Sequence, residues 1–361
     1  MTSETISPEQ WQPLARALAD KLPAGQWVRS AFERVPRHVF TSAFYGYEDS
    51  AYRHIDPGDA EWLTSVYADE ALTTQVSETE LGPRGTSSSS QPSLMAVMLE
   101  ALDLAEGMRV LESGTGTGYN AALLCCLLGE DAVVSADIDR GLVEVARKRL
   151  DRLGYRPALI AGNGPAGCPD RAPFDRVIAT HAVERIPYAW VEQTHPGGVI
   201  LADVRSVGAP GVGHLARLTV REDGTADGEF DVASPGVFMP DRNDLELPQF
   251  RGRTEFDLRD AATRRSGVGG GEVRNPGFAF ALWAALPDMT LRLGPEVSMS
   301  TQDGSWAIVP DGPGEARVAG DRDLWSIAEH TYAQWVAAGR PCVQEYRIRV
   351  GPAGQRIDFP T

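Results

Sequence analysis

The chain has 361 residues, 42% of them hydrophobic, which is enough for two domains with sizeable cores and argues against wholesale disorder. Its 34 basic and 50 acidic residues give a formal net charge of -16, and such a surface repels phosphate backbones, so we expect no nucleic-acid partner. Four cysteines without a C-x-x-C spacing and six scattered histidines indicate reduced thiols and no metal site. Glu4 and Glu9 do not suit a secretion signal, and no run of about 18 apolar residues occurs, so we expect a cytoplasmic protein without a membrane partner.

The N-terminal part predicts two helices followed by irregular chain. Residues 7–8, Ser-Pro, are a helix cap and a first-turn proline, and apolar residues follow at helical spacing. A second helix is predicted over residues 25–35. Residues 41–75 look irregular and rich in aromatic side chains, and residues 85–92 read as a polar, serine-rich loop before a helix over Ser93–Leu102.

Strands and helices alternate from residue 108 onward. The predicted strands are Arg109–Glu112, Val133–Asp137, Ala158–Ala161, Phe174–Ala179 and Val199–Val204. The predicted helices are Tyr119–Leu128, Leu142–Leu153 and Tyr188–Gln193. This alternation predicts a parallel sheet covered by helices on both faces, a Rossmann-like doubly wound α/β fold.

The pattern of predicted elements changes in the last third of the chain. Asp-Gly pairs predict a hairpin between Leu215–Val220 and Glu229–Val232. Beyond it come loops at residues 241–244 and 267–271, strands at Phe278–Trp283, Thr290–Leu293 and Val343–Val350, and a helix at Leu324–Ala338. We therefore predict a first domain over residues 1–240, with the N-terminal helices of residues 1–75 included, and a C-terminal α+β extension over residues 241–361.

The most informative segment is the glycine-rich turn between a predicted strand and a predicted helix, with glycines at 114, 116 and 118. An open α/β sheet binds nucleotides at such a turn, where the missing Cβ atoms let a ligand approach the backbone. Tyr119 stands where the last glycine of a dinucleotide fingerprint would fall. Glu112, two positions before the first glycine, would oppose a pyrophosphate but attract an ammonium group.

A second acid supports the same interpretation. Asp137 closes the next predicted strand, where its carboxylate can accept hydrogen bonds from both ribose hydroxyls. Asp139 is expected to cap the following helix instead. The combination favours S-adenosylmethionine over NAD, and the remaining alternative is a turn that merely links strand to helix.

These residues and several others resemble the protein-L-isoaspartate O-methyltransferase family, over residues of about 25 to 240. The segments that resemble family motifs are, in chain order, Ala31–Phe40 (V-P-R-x-x-F), Tyr67–Leu72 (Y-x-D-x-x-L), Ser90–Pro92 (T-I-S-x-P), Pro173–Ile178, Arg185–Pro187, Pro196–Gly198 and Val237–Pro240 (V-x-F-x-P). Three features depart from the family: Asn163 replaces the aspartate of G-D-G, Ser113 replaces an aliphatic residue, and Ser88-Ser89 replaces Thr-Ile. The extension is also absent from ordinary members.

The resemblance implies a site. Ser90 would orient the accepting carboxylate, with Ser88 as a second candidate. The cofactor, S-adenosyl-L-methionine, and its product S-adenosyl-L-homocysteine would be held by residues of the strand ends and loops: Glu112, Gly114, Thr115, Gly116, Gly118, Asp137, Ile138, Asn163, Gly164 and Thr180. Methyl transfer to a carboxylate needs alignment and a dry pocket rather than a strong base, because the acceptor is already ionised.

The implied function is carboxyl O-methylation of an aspartate or isoaspartate side chain of a peptide, whose ester then closes to a succinimide. Some relatives do this while tailoring ribosomally made peptides, and we favour that role over general protein repair because a selective partner needs extra recognition surface. The extension is its candidate, although its tryptophans, Trp283, Trp306, Trp325 and Trp335, are individually better explained as core residues.

Other readings remain open. An amino-directed methyltransferase would need N/D-P-P-Y/F after the fourth strand, and Ala179–Ala182 lacks it. The similar Asn275–Phe278 lies about a hundred residues later and reads as a turn. His181 could be a base for small-molecule O-methylation or a wall of the pocket. A non-catalytic cofactor-binding scaffold is the alternative outside enzymes.

Overall fold

The computed structural model describes residues 6–48, 51–79, 82–209, 211–230, 238–240 and 261–360. The predicted loop at 241–244, residues 231–232 of the predicted hairpin and Val237 of the V-x-F-x-P segment lie outside these ranges. None of the helices within them has both the length and the apolar character that a membrane crossing requires.

The chain divides into two compact units. Unit 1 comprises Met1–His181, Pro187–Ala202 and Thr219–Gly224, and unit 2 comprises Ala182–Ile186, Asp203–Leu218 and Thr225–Thr361.

Unit 1 begins with helices and a four-stranded antiparallel sheet. The helices are α1 (Pro8–Ala19), α2 (Gln26–Arg34), α3 (Arg37–Phe40) and α4 (Trp62–Val66). The strands are β1 (Phe44–Glu48), β2 (Ala51–Ile55), β3 (Leu72–Thr79) and β4 (Gly82–Ser89), in the order β2-β1-β3-β4. The prediction of irregular chain at 41–75 was wrong, and so was that of a loop at 85–92. Pairing with β3 makes a strand of a Gly- and Ser-rich segment whose own β-propensity is low.

The rest of unit 1 is the predicted alternation. Its elements are α5 (Pro92–Ala101), β5 (Val110–Ser113), α6 (Tyr119–Leu128), β6 (Val133–Asp137), α7 (Arg140–Arg152), β7 (Ala158–Ala161), β8 (Phe174–Val183), α8 (Tyr188–Glu192) and β9 (Thr194–Arg205). The strand order is β9-β8-β5-β6-β7, and β5 pairs in parallel with both β6 and β8. The predicted Rossmann-like sheet is therefore confirmed, and β5 occupies its centre, fully buried along its length.

Unit 2 contains the remaining elements. They are β10 (Gly213–Val220), β11 (Ala226–Phe230), β12 (Ala262–Ser266), α9 (Pro276–Ala285), β13 (Thr290–Leu293), β14 (Glu296–Ser300), β15 (Trp306–Pro310), β16 (Gly314–Ala319), α10 (Leu324–Ala337), β17 (Arg347–Gly351) and β18 (Gly354–Asp358). A five-stranded antiparallel sheet has the order β12-β16-β15-β14-β13, and β18, β17, β11 and β10 are hydrogen-bonded neighbours in that order. The predicted α+β character of the C-terminal part is confirmed.

One predicted strand of unit 2 was wrong. Phe278–Trp283 lies within α9, which begins at Pro276 after the cap residue Asn275. The predicted turn at 275–278 is thus a helix start. All four tryptophans of the C-terminal part are buried, the most accessible, Trp335, being 4% exposed. They are core residues.

Candidate active site

The glycine-rich turn is held in a conformation that only glycine adopts readily. Gly114, Gly116 and Gly118 have φ angles of 100°, 51° and 87°. A Cβ on Gly114 would lie 2.6 Å from Thr180 Oγ1, and one on Gly118 would lie 3.0 Å from the Cβ of Ala146. Packing therefore leaves no room for a Cβ at Gly114 and crowds one at Gly118, whereas the nearest described atom to a Cβ on Gly116 is 3.7 Å away.

Asp137 ties the turn to the end of β6. Its Oδ2 accepts from the backbone N–H of Gly116 at 2.8 Å, and its Oδ1 accepts from Asp139 N at 2.9 Å. Asp139 itself accepts from the first N–H groups of α7, as predicted for a cap. The adjacent Ile138 is 46% exposed, an apolar side chain presented to solvent beside a carboxylate.

Glu112 lies beneath the turn at the end of β5 and is completely buried. Its Oε1 accepts from Asn120 Nδ2 at 2.8 Å and its Oε2 accepts from Ser135 Oγ at 2.5 Å. Ser135 is in turn bonded to Thr115 of the turn at 2.6 Å. Burial, opposed by the two hydrogen bonds, raises the pKa of Glu112 to about 7.

The residues at this end of the sheet fit the predicted cofactor. The Oδ1 atom of Asn120 is buried beside the acid Glu112, and no residue in the described ranges gives it a hydrogen bond. An acceptor that lacks a donor, next to a carboxylate, matches an ammonium group such as that of a methionine moiety. Asp137 and the exposed Ile138 provide an acceptor and an apolar surface for a nucleoside.

The remaining predicted cofactor residues surround the start of the turn. Thr180 Oγ1 donates to Gly114 O at 2.5 Å. Gly164 O accepts from Trp190 Nε1 at 3.0 Å, and a Cβ on Gly164 would lie 2.2 Å from Ser113 Oγ. The loop after β7 thus packs against the end of β5, and Asn163 in that loop is exposed.

The serine-rich segment lies beside the same turn. The carbonyl oxygen of Ser88 and the Oγ of Ser87 are 3.7 and 3.8 Å from the position of a Cβ on Gly116. Strand β4 therefore carries the serines onto the middle of the turn, and Ser90, half-buried, follows directly after β4.

Arg37 fixes the serine-rich segment, although the sequence did not predict this arginine as a site residue. Arg37 is completely buried and donates to Ser89 Oγ at 3.2 Å and to the carbonyl of Ser90 at 3.1 Å. Its other donors bind the carbonyls of Val66, Ala68, Glu70 and Ser89. Burial lowers the pKa of Arg37 to about 10, so the guanidinium stays charged at neutral pH.

Asp69 provides a second anchor. Its Oδ1 accepts from Ser93 N at 2.8 Å, and its carbonyl accepts from Gln91 Nε2 at 3.1 Å. Asp69 thus caps α5 and fixes the residues next to Ser90. Arg37 and Asp69 both belong to segments that resemble family motifs, but their contacts depend on a fold that spacing does not reveal.

A glycine-rich turn at the carboxyl end of the central strand, an acid at the end of the next strand and a buried amide oxygen beside a second acid are the features expected of the Rossmann-like class of S-adenosylmethionine-dependent methyltransferases. A sequence model of the protein-L-isoaspartate(D-aspartate) O-methyltransferase (PCMT) family matches residues 14–227. The chain belongs to this family. Membership confirms the predicted family, its methyltransferase class and S-adenosylmethionine as the cofactor of that class.

Individual proteins of this family are also similar to the chain. The protein-L-isoaspartate O-methyltransferase of Pyrococcus abyssi is 36% identical over 216 residues, which are 59% of this chain and 85% of the relative. That of Thermotoga maritima is 34% identical over 179 residues, 49% of this chain and 50% of the relative, so the match spans about half of that protein. A solved structure of a protein-L-isoaspartate O-methyltransferase aligns with 97% of this chain and 100% of its own, with a TM-score of 0.60 and 23% identity. The fold of the C-terminal part is therefore shared with a protein of that name.

Proposed function

We propose that this chain is an S-adenosylmethionine-dependent carboxyl O-methyltransferase that acts on an aspartate or isoaspartate side chain of a peptide. The supporting observation is the approach of Ser87 and Ser88 to Gly116, within 3.8 Å of its Cβ position. Displacement at a methyl group requires donor and acceptor in contact and aligned. The segment that orients the acceptor is therefore expected to lie beside the turn that holds the methyl donor.

Each site residue has a role in this proposal. S-adenosylmethionine supplies a methyl group on a sulfonium. Asp137 accepts hydrogen bonds from the ribose hydroxyls, Asn120 Oδ1 accepts from the amino group beside the carboxyl group of Glu112, and Ile138 contacts the adenine. The hydroxyl of Ser90 donates to the acceptor carboxylate, which needs no base because its pKa lies far below neutrality.

We further propose that the acceptor is a ribosomally made peptide undergoing maturation, with residues 1–240 as the catalytic domain and residues 241–361 as the part that recognises the peptide. Two departures from the family pattern support this role. Ser113 lies against Gly164 of the loop after β7, and Ser88 of the Ser88-Ser89 pair lies beside Gly116 of the turn. A changed acceptor environment is expected for a changed substrate.

General repair of isoaspartate is the second candidate. It is favoured by the fold similarity over 97% of the chain to a protein-L-isoaspartate O-methyltransferase, which includes the C-terminal part.

Methyl transfer to matched peptides separates these candidates. The purified protein is incubated with S-adenosylmethionine and with hexapeptides that contain either aspartate or isoaspartate before glycine, and with the peptide product of a neighbouring gene. Preferred methylation of the neighbouring product supports maturation, and preferred methylation of the isoaspartyl hexapeptide supports repair. Cofactor binding without transfer to any of them would contradict both and leave the scaffold alternative.

A further inference from the structure

Ser113 and His181 form a hydrogen-bonded pair at the carboxyl ends of β5 and β8. Ser113 Oγ and His181 Nε2 are 2.8 Å apart, and Ser113 is 1% exposed. The Trp190 ring packs edge-on against the imidazole, with 6.4 Å between ring centroids. A buried hydroxyl and an indole thus fix the orientation of the imidazole.

The imidazole lies at the predicted donor turn. His181 Cδ2 is 3.1 Å from the position of a Cβ on Gly114, while the Ser88 carbonyl is 3.7 Å from that on Gly116. Gly114 and Gly116 are two residues apart, so their Cα atoms are separated by at most about 7.6 Å. The imidazole and the serine-rich segment therefore reach the same short turn from two elements.

Methyl transfer to a carboxylate gives this imidazole no proton to take. The step that follows it does require one. When the methyl ester closes to a succinimide, the nitrogen of the next residue's amide attacks the ester carbonyl and must lose its proton. A base fixed by a third group is the arrangement that general base catalysis uses.

We propose that His181, positioned by Ser113, is the general base for ring closure of the aspartyl methyl ester, so that the protein carries out a second reaction at the same site. The inference rests on the proposed function, since methyl transfer forms the ester. The imidazole accepts the amide proton as the N–C bond forms. The C–O bond to the methoxy group breaks, and the imidazolium returns the proton to it, which releases methanol and the succinimide.

The two acids of the site are less suited to this step. Glu112 is completely buried and accepts from Asn120 and Ser135. Asp137 accepts from the backbone N–H of Gly116 in the turn and from that of Asp139. Both carboxylates stabilise the turn, whereas His181 follows Thr180 at the strand end, where an acceptor would lie next to the donor.

A chemically synthesised ester tests the proposal without any methyl transfer. A hexapeptide with an aspartyl β-methyl ester before glycine is incubated with S-adenosylhomocysteine and the full-length protein, and release of methanol is followed by mass spectrometry. We expect the wild-type protein to accelerate closure about 100-fold over the peptide alone. His181→Gln should lose that acceleration. His195→Gln, at an exposed histidine, is the matched control and should keep it.

Ser113→Ala separates positioning from mere packing. It should reduce the acceleration and move the pH profile of closure, because the imidazole loses the partner that fixes its tautomer. Thermal unfolding of each variant shows whether it is folded. Closure at the solution rate with the wild-type protein, or equal acceleration by His181→Gln, would overturn the proposal. Methyl transfer to unmodified peptide is measured separately, so a chain that transfers methyl groups but does not accelerate closure refutes only the role of His181, and the reverse refutes only the proposed function.

Discussion

The guanidinium of Arg37 donates to the carbonyl oxygen of Ser90 across 3.1 Å, so one buried charge sets the backbone of the serine expected to orient the acceptor. The same side chain binds carbonyls of the segment at Val66–Glu70. The backbone position of Ser90 thus depends on a guanidinium that is completely buried.

Replacing this ion should therefore damage stability and catalysis together. Arg37→Lys keeps the charge but cannot reach the same set of carbonyls, and each buried carbonyl left without a donor costs about 1–3 kcal/mol. We expect the free energy of unfolding in urea to fall by about 3 kcal/mol and methyl transfer to slow. Arg53→Lys, at an exposed ion pair, should change neither. Unchanged stability in Arg37→Lys would contradict the role assigned to this residue.

Ser90→Ala should slow methyl transfer without weakening cofactor binding. A hydrogen bond to a charged group is worth about 1.5–3 kcal/mol, which corresponds to roughly 10- to 150-fold in kcat. Calorimetry with S-adenosylhomocysteine should give the wild-type Kd. Ser88→Ala is the matched comparison, and a larger loss in that variant would move the role from Ser90 to Ser88.

Asp137→Asn should weaken cofactor binding. The carboxylate fixes the Gly116 N–H and is expected to accept from the ribose, so its loss should raise the Kd of S-adenosylhomocysteine about 10- to 100-fold. Asp151→Asn, on the exposed side of α7, should bind as the wild-type protein does. Equal affinities for the two variants, measured by calorimetry, would refute the assignment.

Glu112 predicts how stability depends on pH. Burial raises its pKa from 4.5 to about 7, so the folded state holds a proton that the unfolded state releases. The free energy of unfolding should therefore be fully maintained below pH 4.5 and decline as the pH rises through 7, by about 3 kcal/mol from this group. Glu112→Gln lacks this contribution. Urea unfolding across this pH range should show that the free energy of unfolding of the variant rises relative to that of the wild type as the pH rises. A difference in free energy that does not change with pH would contradict the assigned burial.

Helix α9 depends on its cap. Asn275 Oδ1 accepts from Gly277 N at 3.0 Å and from Phe278 N at 3.3 Å. Asn275→Ala should lower the free energy of unfolding by about 1 kcal/mol, whereas Asn275→Asp should preserve it. An alanine variant as stable as wild type would show that packing alone holds the start of α9.

The part of the site nearest the turn could be read from the sequence. Strand β6 and helix α6 have the predicted bounds, because a buried strand that ends in an acid and a helix that follows glycines leave local signals. Local sequence signals did not predict the secondary structure and side-chain contacts that tertiary packing determines. Helix α9 is apolar on all sides, so no helical period distinguished it from a strand. The contacts of Arg37 and the orphaned Oδ1 of Asn120 required coordinates, since neither spacing nor composition encodes which carbonyls converge on one cation.

Arg37 contacts residues that lie 29 to 53 positions further along the chain. A cut between them therefore places the arginine and its partners on different fragments. A protease nick within residues 56–61, between β2 and α4, would leave the glycine-rich turn and its neighbouring strands covalently intact. The nicked protein would retain every side chain proposed to bind the nucleoside on one fragment. The hydrogen bonds from Arg37 to the serine segment would then join two separate polypeptides. Loss of turnover with retained nucleoside affinity is the result expected of such a cut.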